Sequence, residues 1–151
     1  WCKRTDWRTN RAVVFLDPYG LQVEWKSLQA IAETKSIDLW LLFPLAIGVG
    51  RLLTKNEPPP TVWAEALTRT FGTDEWRQAF YTTERRLTLF GEEDAQTRQA
   101  DFDGIGNFFV EDNPLPLLNS KNVPLYLLCF AAGNPQGAAP AIRIARHILE
   151  R

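Results

Sequence analysis

The sequence has few residues that bind metals or form disulfides: its 151 residues include no methionine, one histidine and two cysteines. His147, Cys2 and Cys129 are too few to make up a zinc or iron–sulfur site from nitrogen and sulfur ligands. So low a cysteine count favours a reduced, cytoplasmic protein. Cys129 lies in an apolar run and is expected in the core, His147 is expected near the end of an amphipathic helix, and we assign neither a function.

Charge of either sign is close to balance, with 17 basic and 18 acidic residues and a net charge of −1. No global positive field would therefore attract nucleic acid, although a local patch is not excluded. The longest apolar stretch, residues 37–50, is interrupted by Asp38 and Pro44 and is too short to cross a bilayer, so no membrane association is expected. Because methionine is lacking and Trp1 opens the chain in a pattern typical of a surface loop, we expect further residues before it in the parent protein.

What is present is the composition of an ordinary globular domain, with 45% hydrophobic and 23% charged residues. Residues 12–16 form an unbroken apolar run, which predicts a strand covered on both faces. Pro18 has no N–H group and must end the strand, and Gly20 allows a sharp turn. Asp17 and Tyr19 are thus expected at the strand tip, where open α/β sheets bind ligands. The alternative is an isolated Asp-Pro turn with an exposed tyrosine.

A second strand is predicted after one helix. Residues 23–35 carry apolar side chains at helical spacing, and residues 36–43 form an apolar strand that Pro44 ends. A strand, helix and strand of this length predict a right-handed βαβ unit with parallel strands. Both strands then end at the same edge of the sheet, so Phe43 and Pro44 are expected beside residues 17–20.

The rest of the chain continues the mixture of helices and strands. Helices are predicted at 47–54, 61–70 and 73–80, and the first of these places Arg51 near the same sheet edge. A solvated helical segment or loop at 84–103 and a short strand at 108–110 follow. After a proline-containing connector through 122 come a strand at 124–132 and a closing helix after 137. Each strong strand is followed by a turn and a helical pattern. This predicts the C-terminal half of a doubly wound Rossmann-like sheet with flanking helices, in one partial α/β domain over residues 1–151.

Three phrases of the chain, in this order, resemble the three-Cys-motif partner protein family, TcmP. They are residues 15–25, 37–44 and 125–135, which read FLDPYGLQVEW, IDLWLLFP and LYLLCFAAGNP. Members of that family are longer at the N-terminus and are encoded beside a three-Cys-motif protein that looks like a radical enzyme. The family in turn resembles Rossmann-type methyltransferases, so the resemblance implies S-adenosylmethionine as cofactor, a three-Cys-motif protein as partner and a nucleic acid as substrate.

The resemblance also assigns roles at the first strand tip. Asp17, Pro18 and Tyr19 are similar to the Asp-Pro-Pro-Tyr motif of amino-methyltransferases that act on nucleic acid, with one proline fewer. Asp17 would orient an exocyclic amine and Tyr19 would stack on the acceptor ring. The residues that hold the cofactor belong to earlier strands of such a fold, so none is assigned in this chain. The substrate contacts expected around the tip are Gly20, Gln22, Glu24, Phe43, Pro44 and Arg51.

Three functions stay open at this point. The first is methyl transfer to a nucleic acid base or another amine. The second is a non-catalytic Rossmann-like partner or regulatory module that docks onto a three-Cys-motif protein. Its interface anchors would come from the six tryptophans at positions 1, 7, 25, 40, 63 and 76. The third is a hydrolase or nuclease, which no suitably spaced pair of carboxylates supports.

Overall fold

The computed structural model describes residues 1–55, 57–89, 91–109 and 114–149, and its central element is a four-stranded mixed sheet. The strands lie in the order β1-β2-β6-β5. Helices precede, follow and connect them, so the protein is a mixed α/β structure. The sheet strands are β1 (Ala12–Leu16), β2 (Ile37–Phe43), β5 (Leu115–Leu118) and β6 (Pro124–Ala131).

The predicted strand–helix–strand unit with parallel strands is confirmed. Helix α1 (Trp25–Ala32) connects β1 to β2, and the two strands pair in parallel from Ala12 opposite Ile37 to Leu16 opposite Leu41. β2 alternates strictly between buried and half-buried residues, as a strand between two neighbours should. The prediction that β1 is covered on both faces is wrong. β1 is an edge strand, and Val13 and Phe15 are 71% and 60% exposed because no described element packs on that side of them.

The third predicted strand is confirmed as β6, which runs antiparallel to β2. β5 pairs antiparallel with the other side of β6 and is therefore parallel to β1 and β2. The predicted connector through Asn122 was wrong in part, because residues 115–118 form this short strand. Pro116 is tolerated there because β5 lies at an edge of the sheet and has a free side.

The predicted helices between β2 and the second half of the chain are confirmed with small changes of boundary. A π-helical turn at Leu45–Val49 leads into the short α2. Gly72, with φ of +75°, ends α3, and the Thr73 hydroxyl accepts a hydrogen bond from the Glu75 N–H at 3.3 Å. The helices after α1 are α2 (Gly50–Leu52), α3 (Thr61–Phe71), α4 (Trp76–Phe80), α5 (Phe102–Phe109) and α6 (Ala138–Leu149).

Two predictions of secondary structure are wrong. Most of the charged segment 84–103 is not a helix or loop but part of a two-stranded antiparallel hairpin, β3 (Tyr81–Thr88) and β4 (Gly91–Arg98). Both of its faces are largely exposed, so charged side chains stand on either face of the strands without cost. The predicted strand at 108–110 is instead the end of α5, except Val110, which lies outside the described residues. Asp101 starts that helix, because its carboxylate accepts the Gly104 N–H at 2.8 Å.

The hydrophobic core lies between the sheet and helices α3, α4 and α5. Phe71 stands at its centre, with its ring 5.4–6.2 Å from the rings of Phe43, Phe80, Phe108 and Phe109. Edge-to-face rings at these distances add to the stability that their burial supplies. This cluster fixes the end of β2, and with it the sheet edge at which the site residues were predicted.

Candidate functional site

The carboxyl ends of β1 and β2 lie side by side. The last paired residues of the two strands are Leu16 and Leu41, so Asp17 lies next to the last residues of β2, which end at Phe43 before Pro44. Both strands end at a proline within two residues, since proline cannot continue the hydrogen-bond ladder. The predicted juxtaposition of the two tips is therefore a feature of the backbone.

The functional side chains at the end of β1 are exposed to solvent. Asp17 is exposed, and the ring of Tyr19 is 88% exposed, the most exposed aromatic side chain of the described residues. Gly20 has φ of +62°, a left-handed conformation that a glycine adopts without strain, and a β-carbon there would have no atom within 4 Å. The turn thus holds an acid and an aromatic ring together on an open surface, where both can reach a bound molecule.

The residues at the end of β2 are buried and support the turn after β1 from below. Phe43 is 2% exposed and stacks on Phe109 with the ring centroids 3.9 Å apart. Pro44 is also buried, and with Pro18 and Gly20 it lines a cleft of only 10 Å³. About 10–15 Å³ measured in this way holds a single water molecule, so the cleft is too small for a substrate. Phe43 and Pro44, predicted as substrate contacts, lie beneath the tip, and a ligand there would contact the outer side of the turn.

The other predicted contacts are more scattered. Gln22 is exposed, and Glu24 precedes α1 with its carboxylate 2.5 Å from the Lys26 ammonium and 3.8 Å from Arg69. The hydrogen bond from Lys26 lowers the pKa of Glu24, an effect that partial desolvation opposes. Arg51 is exposed on α2. Within the described part of the chain, Arg51 forms no ion pair with Asp17. The structure therefore does not bring Arg51 and Asp17 together in one site.

Sequence analysis missed a polar cleft at the opposite edge, beside the amino ends of β1 and β2. Its volume is about 360 Å³ and its polar lining comes from Arg11, Ser36, Asp38 and Asn134. The Asp38 carboxylate accepts the Gly133 N–H at 2.8 Å, and the Arg11 guanidinium donates to the Ser36 hydroxyl at 3.2 Å. A signal existed in the sequence, namely an acid inside an otherwise apolar strand.

Sequence analysis also missed a long apolar groove beneath α1, which we call the α1 groove. It lies between that helix and the sheet, and its volume is about 670 Å³. Leu28 and Ile31 of α1 form one wall, and Leu39, Leu41 and Cys129 of the sheet form the floor. Periodicity could predict these residues as buried, but not that the helix and sheet leave a space between them.

The residues present were tested against the groups that the resemblance implies. The cleft beside Asp17 cannot hold S-adenosylmethionine at 10 Å³, so the tip does not form a pocket for that cofactor and no cofactor-binding residue is assigned to it. Among the residues that the structure describes, no group of three or more His, Cys, Asp or Glu side chains could hold a metal ion. No described helix is long and apolar enough to cross a membrane.

Comparison with known proteins does not identify a family for this chain. No protein-family model, curated protein or solved structure matches the chain at a significant level.

Proposed function

We propose that this chain is the acceptor-binding half of a protein similar to the three-Cys-motif partner family, a methyltransferase-like protein that acts on a nucleic acid base or another amine. One observation carries the proposal. Asp17 and Tyr19 stand exposed at the tip of β1, directly beside the end of the parallel strand β2, at the edge where open α/β sheets bind their ligands.

The arrangement of the sheet supports the same proposal. β1 and β2 are parallel and joined through α1, as in a doubly wound fold, whereas β6 is antiparallel and lies between β2 and β5. Doubly wound folds often combine one antiparallel strand with an otherwise parallel sheet. A doubly wound sheet of the methyltransferase type, of which these strands are the C-terminal half, accounts for both features.

The tip residues have separate roles in this proposal. The Asp17 carboxylate accepts a hydrogen bond from an exocyclic N–H, which fixes the direction of the nitrogen lone pair. The exposed ring of Tyr19 stacks on the acceptor base, a contact that contributes about 1–3 kcal/mol per base. Pro18 and Gly20 set the backbone of the turn that carries both groups. S-adenosylmethionine would supply the methyl group from residues outside the described tip.

The second candidate function is a non-catalytic partner or regulatory module for a three-Cys-motif protein. The exposed edge of β1 favours it, because Val13 and Phe15 are 71% and 60% exposed on a strand with one unpaired side. Apolar edge strands of this kind pair readily with another chain. In this case the Asp17 turn would be a remnant, and the protein would act through binding alone.

Calorimetric titration of S-adenosylmethionine into the protein distinguishes the two candidates. The methyltransferase proposal predicts saturable binding, and it also predicts that Asp17→Ala leaves the affinity within about twofold, because Asp17 contacts the acceptor. The complete lack of binding heat with the intact protein would rule out the enzyme and leave the partner module. Loss of cofactor affinity in Asp17→Ala would show that the acid belongs to a cofactor site instead.

A further inference from the structure

The α1 groove has the size and lining of a site for an apolar ligand. Its volume of about 670 Å³ lies in the range of about 300–1,000 Å³ that is usual for small-molecule pockets. Apart from Gln29 and Lys35, every residue that lines it has an apolar side chain or none. Water gains little from such a space, so an apolar molecule that displaces it would be favoured by the hydrophobic effect.

The lining residues of the groove extend along the whole of α1. They begin at Trp25, the first residue of the helix, and reach Lys35, three residues beyond its last residue. A helix of 8 residues is about 12 Å long at 1.5 Å per residue. A ligand that contacts this lining from one end to the other is therefore an extended chain and not a compact ring.

The single charge in the lining is positive and stands at one end. Lys35 is the charged residue of the groove, and its ammonium forms none of the ion pairs found among the described residues. Arg11 and Asp38, which lie nearby, line the polar cleft and not this groove, so the Lys35 ammonium is the charge that a ligand in the groove would meet. The end is therefore suited to an anionic head group.

We propose that the α1 groove binds a linear fatty carboxylate, with the hydrocarbon chain along α1 over Leu39 and Leu41 and the carboxylate at Lys35. The ligand class follows from the apolar lining, the length and the position of the positive charge. The proposal does not depend on the methyltransferase hypothesis, because the groove is separate from the Asp17 turn and no residue of that turn lines it.

Calorimetry with a matched pair of ligands tests the proposal on the purified protein. Dodecanoate, below its critical micelle concentration, is expected to bind with a stoichiometry of one, and dodecan-1-ol is expected to bind several-fold more weakly. Lys35→Gln should weaken dodecanoate binding about three- to tenfold and change dodecan-1-ol binding by less than twofold, since only the carboxylate uses the charge. Lys121→Gln, at an exposed turn away from the groove, should change neither affinity.

A second pair of variants tests the location. Ala32 is exposed at the mouth of the groove, so Ala32→Phe should fill it and lower the affinity for both ligands at least tenfold while circular dichroism shows an intact fold. Ala79→Phe, at an exposed position of α4, is the control and should bind as the original protein does. The proposal is overturned if dodecanoate gives no binding heat, if Lys35→Gln binds it unchanged, or if Ala32→Phe retains full affinity.

Discussion

The indole ring of Trp25 lies directly against the backbone of Gly72, so closely that a β-carbon on Gly72 would stand 2.2 Å from Cδ1 of the ring. Trp25 begins α1 and Gly72 ends α3, and therefore this contact joins the crossover helix to the helix that carries the core residue Phe71. The position of α1 over the sheet, and with it the shape of the α1 groove, depends on the contact.

Gly72→Ala is expected to destabilise the protein in two ways. The left-handed φ of +75° costs an alanine about 1–2 kcal/mol, and the clash with Trp25 adds about 1–3 kcal/mol. Denaturant unfolding of a double-mutant cycle separates them: in a Trp25→Ala background the substitution should cost only the conformational part. An equal cost in both backgrounds would show that the ring does not press on Gly72.

Gly133 is expected to tolerate no side chain, for a reason other than its backbone angles. A β-carbon there would stand 2.2 Å from the carbonyl oxygen of Ile37, at the start of the central strand. Gly133→Ala should lower the free energy of unfolding by about 2–3 kcal/mol. Gly104→Ala is the control: it lies in α5, its β-carbon would be 3.4 Å from the nearest atom, and it should stabilise by about 0.5–1 kcal/mol. Chemical denaturation of both variants measures the difference, and equal effects would contradict the account.

The aromatic cluster around Phe71 is expected to supply a large share of the stability. Phe71 is 5% exposed and contacts four other rings, so Phe71→Ala should cost about 3–5 kcal/mol in transfer energy and cavity formation. Leu89 is fully exposed at the tip of the hairpin, and Leu89→Ala should change stability by less than about 0.5 kcal/mol. Thermal and denaturant unfolding test the pair, and a small effect at Phe71 would show that the core is centred elsewhere.

The two cysteines are expected to behave differently. Burial raises the pKa of the Cys129 thiol to about 12, so it stays protonated and should not react with a thiol reagent at pH 8 in the folded protein. Cys2 is partly exposed and should react. Counting reactive thiols before and after addition of denaturant should therefore give one and then two. Two reactive thiols in the folded state would contradict the placement of Cys129.

The same shift makes a prediction about stability and pH. Because the folded pKa of Cys129 lies above its ordinary value of 9.0, folding favours the protonated thiol. Its contribution to stability is complete below pH 9 and decreases as the pH rises from there towards about 12. Unfolding measured across this range should show a steeper loss for the original protein than for Cys129→Ala, in which the other titrating groups are unchanged. Parallel curves would contradict the prediction.

The elements predictable from sequence are those with a strong local pattern. β1, β2, α3 and β6 combine an apolar pattern with a proline or glycine at an end, so both their type and their approximate ends follow from the chain. α1 was predictable from its apolar spacing alone. The same signals predicted that Asp17 and Pro44 come together at one sheet edge. That prediction follows from the βαβ rule, because a helical crossover between neighbouring strands makes them parallel and so brings their carboxyl ends to the same edge.

What could not be predicted depended on tertiary packing. The hairpin residues Glu84 and Asp94 are exposed, so no buried face gave a strand period to detect. Phe108 and Phe109 read locally as a strand, but α5 turns both rings towards Phe71 in the core. The burial of Phe43, which removes it from the surface of the candidate site, also follows from this packing and not from its place at a strand end.

Transfer of a labelled methyl group from S-adenosylmethionine to a single-stranded oligonucleotide by the protein tests the central claim most directly. The claim is that the Asp17 turn orients an acceptor amine. Asp17→Ala should lower the transfer rate about 100-fold or more with cofactor affinity unchanged, and Asp74→Ala, at an exposed turn far along the chain, should transfer at the original rate. Equal rates in the Asp17 variant and the original protein would contradict it.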